Sequence, residues 1–244
     1  MIKNFLTRLS IAAVDLFYPP HCCLCDVELT GEEKIICSDC LKRLPLISGP
    51  RCPKCSRPIR TKGGEDILCG ICRIAPNKYL NKIIAAGEYH GDLKRLIHIY
   101  KYDRQQFLAG LFAKIIADKL INEKSVKNFD LIVPIPLHWT RKRWRGFNQA
   151  REISESLRKL TGIPVAHPST FKRVKKTTPQ VQLNASSRAV NIHDAFKVYK
   201  PNIFKNKNIV LVDDVYTTGA TSSECSRILI KSGAETVSLI VIAR

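Results

Sequence analysis

Nowhere in this 244-residue chain does an apolar run reach the roughly 20 residues that a bilayer-spanning helix needs. Acidic side chains are scarce, 21 against 40 lysines and arginines, for a formal net charge of +19. There is no low-complexity tract and no repeat beyond the cysteine pairs described below. These absences exclude a membrane-spanning, fibrous or disordered chain. A hydrophobic content of 45% is ordinary for a globular protein, and the length suffices for one sizeable core with a small appendage. The first twenty residues have an apolar stretch, but Arg8 and Asp15 interrupt it and no small-residue cleavage site precedes the cysteines, which argues against a signal peptide. Phe5, Leu6, Leu9, Ala12, Ala13, Leu16 and Phe17 share one helical face instead. An amphipathic helix over residues 1–20 is expected, docking on the protein and ended by Pro19 and Pro20.

Cysteine is the residue present in excess. Eight of the ten cysteines fall into four C-x-x-C pairs, Cys22/Cys25, Cys37/Cys40, Cys52/Cys55 and Cys69/Cys72. Such a turn sets two thiolates on one side of a knuckle, and two knuckles complete a tetrahedral zinc site. Four knuckles predict two structural four-cysteine sites over residues 21–75, a double zinc ribbon in a reducing, cytoplasmic compartment. With all four positions taken by sulfur, the metal serves folding and not catalysis. Pairing in sequence order is the default expectation, and an interleaved pairing is left open. Cys225 reads as a buried inert thiol and His21 as a surface residue.

The composition changes near Pro76. From residue 76 to 244 helical and strand patterns alternate, which predicts an α/β domain with a parallel sheet flanked by helices. Strands are expected near residues 81–90, Asp130–Pro136, Val165, Ile209–Val212 and Thr236–Ile242, with apolar positions at helical spacing over 92–122 and a helix at Gln149–Leu160.

The most informative stretch is IVLVDDVYTTGAT, Ile209 to Thr221. A buried strand runs into paired carboxylates, Asp213 and Asp214, and then into Thr217, Thr218, Gly219, Ala220 and Thr221, which open a helix ending near Gly233. Backbone N–H groups at a helix start cradle a phosphate, glycine permits close approach, and two carboxylates accept hydrogen bonds from a sugar diol. Side by side they make a ribose-5-phosphate site. The segment resembles the signature of type I phosphoribosyltransferases, which bind phosphoribosyl pyrophosphate (PRPP). That resemblance implies that Asp213 and Asp214 hold the ribose hydroxyls and act in catalysis, and that residues 217–221 hold the 5-phosphate.

The basic surplus concentrates between Arg141 and Lys176, with 11 basic residues against Glu152 and Glu155. Such a density attracts polyanions. Within it, VPIPLHWTRKRWRGFNQA places His138, Arg141, Arg143 and Arg145 around Trp139 and Trp144. The position matches the pyrophosphate loop of the same family, although interleaved tryptophan and arginine equally suit the stacking of single-stranded bases. A third segment, Phe171–Val198, lacks periodicity and is longer than an ordinary connection. It resembles the family's flexible lid, with Arg173, Thr177, Gln180, Arg188 and Asn191 as its polar candidates.

In order, four knuckles, Tyr100–Asp103 (YKYD), P-x-P-L-H…R-G-F-N-Q, a basic lid and V-D-D-V-x-T-T-G-A-T resemble the ComF family of competence-related proteins over nearly the whole chain. The resemblance implies a zinc ribbon joined to a type I phosphoribosyltransferase domain, PRPP bound with Mg²⁺, and single-stranded DNA and DNA-import proteins as partners. It supplies no acceptor, no residue stands out as a general base, and a protein that senses PRPP or binds single-stranded DNA without turnover is the alternative reading. The last expected strand runs directly into Arg244, so an acceptor pocket is expected from residues 1–130 or from a partner.

Overall fold

The computed structural model describes residues 19–29, 35–59, 64–103, 105–140, 143, 146–175 and 192–244. The helix expected over residues 1–20 lies almost entirely outside them. Four strands form one parallel sheet in the order β1–β6–β5–β2: β1 Ile83–Gly87, β2 Leu131–Pro134, β5 Asn208–Val215 and β6 Thr236–Ala243. Val165 bridges in parallel to Ile132 at the outer edge of β2, where the sequence suggested a short strand. Two further short strands, β3 Phe171–Arg173 and β4 Phe196–Val198, pair antiparallel beside the sheet.

Burial on both faces is why β5 and β6 read as continuous apolar runs instead of alternating ones. Ile209 to Val212 are fully buried, as are Val237 and Ile240 to Ala243 to within 1%. Helices α3 (Gly91–Tyr102), α4 (Leu108–Asn122) and α5 (Gln149–Thr161) cover one face through Leu96, Phe112 and Ile153; α6 (Ala220–Lys231) covers the other through Cys225 and Leu229. The apolar positions over 92–122 thus belong to two helices, one ending at Tyr102 and the next starting at Leu108. Asn148 caps α5 by accepting from the Arg151 N–H at 3.4 Å, and Gly162 ends that helix in the left-handed region.

The cysteine region is built twice on one plan. Cys22 N–H donates to the Val27 carbonyl and Cys52 N–H to that of Arg57, both at 2.8 Å. Asp26 and Ser56, each following a second knuckle cysteine, take positive φ of 62° and 57°. Cys37 and Cys69 each cap a single-turn helix, α1 (Ser38–Lys42) and α2 (Gly70–Ile74), through their sulfur. The first unit packs with the α3–α5 face, the second with the α6 face.

Between the two units the chain grips the open edge of β1. The Ile47 N–H donates to Ala86 at 2.9 Å, the Glu88 N–H to Pro45 at 2.9 Å and the Ile83 N–H to Lys54 at 2.9 Å. An edge strand left bare would template association, so this cover is useful in itself. Glu123, 14% exposed, adds a polar weld, taking Arg51 at 2.7 Å, Lys82 at 3.3 Å and Lys119 at 3.6 Å. At Gly87 a side chain would collide, because a Cβ there would lie 2.4 Å from Leu93 Cδ2 and 2.8 Å from the Pro45 carbonyl. Gly87→Ala is therefore expected to destabilise the protein by about 1–3 kcal/mol in urea unfolding. An unchanged midpoint would contradict the close approach of ribbon and sheet.

Candidate functional site

Period-two alternation along β5 sends its two acids to opposite faces. Asp213 follows Ile209 and Leu211 toward α6, and Asp214 follows Val210 and Val212 toward α3. On that second face Lys101 Nζ lies 2.9 Å from Asp214 Oδ1, both side chains 14% exposed. Asp213 Oδ1 accepts the Asp214 N–H at 2.9 Å. Burial, and then the charge of Asp214, raise the Asp213 carboxyl to about 7, while that N–H, Lys101 and Arg173 pull the other way. A carboxylate so placed gains from any positive charge brought to it.

Lys101 belongs to the YKYD stretch, to which the sequence reading gave no chemical role. Its neighbour Tyr100 is fully buried and donates to the Gln149 carbonyl at 2.9 Å, tying α3 to the start of α5. A lysine one residue from a buried aromatic on an amphipathic helix was the available signal, but a helical lysine is so commonly solvated that only the fold shows its partner.

The turn after β5 leaves Thr217 and Thr218 exposed and places Gly219 at φ 75° as the cap of α6. Tyr216 folds back over it, so that a Cβ at Gly219 would lie 2.5 Å from the Tyr216 hydroxyl. Glycine is required here on both counts. The first N–H groups of α6 have no carbonyl within the helix to bond and face the turn, which suits an anion. Ala220 and Thr221 begin that helix.

Beside β5, the Ile135 N–H donates to Val212 at 3.0 Å, and Asn148 Nδ2 to the Ile135 carbonyl at 3.1 Å. This holds the loop after β2 next to the acids' strand. His138 is buried and pairs through Nδ1 with Thr140 Oγ1 at 2.9 Å, which gives it a place in shaping the loop. Trp139 is 66% exposed and Arg143 is exposed as well. Arg141 and Arg145 lie outside the described residues. So do Thr177, Gln180, Arg188 and Asn191 of the expected lid, whose ends close as the β3–β4 pair. Arg173, on β3, stands 5.4 Å over the Phe196 ring and close enough to lower Asp213. Glu224 and Arg227 of α6 anchor the returning end, with Asp194 N–H to Glu224 at 2.7 Å and Arg227 to Asp194 at 2.9 Å.

Two metal centres are formed by Cys22, Cys25, Cys37 and Cys40, and by Cys52, Cys55, Cys69 and Cys72; within each set all sulfurs lie within 4.8 Å of one another. The pairing is sequential, not interleaved. Cys25 Sγ to Cys37 Sγ and Cys55 Sγ to Cys69 Sγ are both 3.7 Å. A tetrahedron with zinc–sulfur bonds of about 2.3 Å has sulfurs about 3.8 Å apart, so the sets fit zinc. Burial opposes ionisation of Cys22, yet N–H groups of Cys37, Cys25 and Leu24 bring its thiol down to about 6. In the same way Cys69, Lys54 and Cys55 bring Cys52 to about 7.

The family model of the phosphoribosyl transferase domain matches residues 108–244, and that of the double zinc ribbon domain residues 13–73. Relatives match end to end. The DNA utilization protein YhgH of Salmonella typhi is 30% identical over 237 residues, covering 94% of this chain and 99% of its own. Competence protein F of Haemophilus influenzae is 31% identical over 232 residues, covering 93% and 98%. The chain belongs to the ComF family. Competence protein ComFC of Bacillus subtilis, 28% identical over 240 residues, extends the likeness to 91% of this chain and 94% of that one. Among the described residues no helix is long and apolar enough to cross a membrane.

Elemental analysis of the purified protein is expected to give two zinc ions per chain. One or none, in protein prepared without chelators, would overturn the assignment of two four-cysteine centres.

Proposed function

We propose that this ComF-family protein binds PRPP with Mg²⁺ and transfers its phosphoribosyl group to an acceptor, in the cytoplasm and in the handling of imported DNA. The observation that carries the reading is the pair Asp213–Asp214 at the carboxyl end of the central strand, directly followed by the Thr217–Thr221 turn. In parallel sheets, ligands bind where neighbouring strands end and their connections diverge. Here the acids take the ribose hydroxyls and the turn takes the 5-phosphate. Lys101 holds Asp214 at 2.9 Å and so fixes the orientation of one carboxylate. Arg141, Arg143 and Arg145 supply charge for pyrophosphate, with His138 bracing their loop. Arg173 and the segment between β3 and β4 close over the sugar and exclude water, which would otherwise capture the cationic ribose left as pyrophosphate departs. Mg²⁺ would neutralise the pyrophosphate, with Asp213 and Asp214 as the protein groups nearest in kind to hold it. The paired carboxylates also favour the positive charge that develops at the anomeric carbon.

Calorimetric titration of the zinc-loaded protein with PRPP is expected to show binding that requires Mg²⁺. Asp213→Asn with Asp214→Asn should weaken it at least a hundredfold while zinc content and unfolding stay unchanged. Undiminished affinity in the double variant would sink the site assignment.

The relatives named for competence and DNA utilization, together with the exposed Trp139 beside Arg143, favour a second role in holding single-stranded DNA. Affinity for an oligodeoxythymidylate is then expected to fall steeply with salt and to drop several-fold in Trp139→Ala. Salt-independent binding, or a Trp139→Ala variant indistinguishable from wild type, would remove this role from the loop.

A further inference from the structure

A cleft separates the second four-cysteine unit from the carboxyl ends of β1, β6 and β5. Its two lobes, of about 440 and 400 Å³, share Arg57, Tyr216, Thr217 and Arg244. Each lobe alone falls in the range of sites for small ligands. The second lobe has an apolar floor of buried Leu80 and Ile83, with exposed Ile71 and Ala75 at its margin. The rim is cationic: Lys54, Arg57 and Arg244 stand against Glu88, whose carboxylate lies 4.0 Å from His90. Among the described residues neither Lys54 nor Arg57 is engaged in an ion pair.

The walls are held in place. The Arg244 guanidinium donates to the Cys55 carbonyl and lies 5.7 Å over the Tyr216 ring. Tyr216 in turn packs on Gly219, so one ring both shapes the phosphate turn and lines the cleft. Asn77 Nδ2 bonds Ser223 Oγ on α6 at 2.5 Å, fixing the ribbon's wall to the helix that carries the turn.

We propose that this cleft is a second ligand subsite, for a planar aromatic ring bearing a carboxylate. If the PRPP reading above holds, it is the subsite of the second substrate. A ring face gains from the apolar floor and from the tyrosine and guanidinium planes, whereas an aliphatic anion would not. The flat fork of Arg57, with Lys54 on the same rim, matches a carboxylate in a pair of hydrogen bonds, and a neutral ring would leave those two cations unanswered. The acceptor pocket expected from residues 1–130 or from a partner is accordingly assigned to Lys54, Arg57, Leu80 and Ile83 together with the strand ends.

Calorimetry on the full zinc-loaded chain tests this with nicotinate, anthranilate and orotate, set against nicotinamide and uracil as uncharged rings, each with and without PRPP and Mg²⁺. At least one of the acids is expected to bind ten times or more tightly than the uncharged rings. Arg57→Glu should weaken that binding at least tenfold, keep two zinc ions per chain and leave PRPP affinity within twofold; Lys54→Glu serves in the same way if Arg57→Glu fails to fold. Failure of all three acids to bind, or binding indifferent to these substitutions, overturns the proposal. Acid binding without PRPP binding would keep the cleft and discard the PRPP reading; PRPP binding without acid binding would do the reverse.

Discussion

Four thiolates gathered within 4.8 Å repel one another, and a divalent cation at their centre converts that repulsion into the main attraction of the N-terminal region. Among the described residues each unit has little else. Leu24, Leu29 and Ile36 around the first set, and Ile47 with the buried cysteines around the second, are too few to hold such short loops by apolar burial. What depends on the metal is more than the ribbon. Through Pro45–Ile47 and Lys54 the ribbon covers β1, through Arg51 it meets Glu123, and through Cys55 it receives Arg244. The edge of the sheet and one wall of the cleft are thereby set by sulfur geometry at a distance.

A second constraint comes from β5 itself. A central strand buried on both sides can present polar groups only where it emerges, and two consecutive acids there must diverge to opposite faces. Each then needs its own company: Lys101 from α3 for Asp214, Arg173 and a backbone N–H for Asp213. The proposed sugar site is thus a junction of three separate pieces, the end of β5, α3 through Lys101 and β3 through Arg173.

Much of this was legible in the sequence because the signals are local. Knuckle spacing declared the metal sites, an apolar run declared β5 and β6, and V-D-D-V-x-T-T-G-A-T declared the strand, turn and helix that carry the proposed phosphate site. Lys101, Tyr216 and Arg244 were not legible in the same way, since each acts on a residue far along the chain or by folding back: Lys101 on Asp214, Arg244 on Cys55, Tyr216 over Gly219. His138 shows how much neighbours in space add: the sequence sets it among arginines, and in the fold its ring is buried against Thr140 and Trp139.

The two cysteine units share hydrogen bonds, knuckle conformations and capping helices, the marks of a duplicated module. They are not redundant copies. One lies against the α3–α5 side and the other against the α6 side, so that together they straddle the border of the sheet like the jaws of a clip. Removing either one would expose apolar surface that its twin does not cover. One plan used twice thus serves two ends: one jaw packs on the α3–α5 side, and the other lines the cleft beside the proposed sugar site.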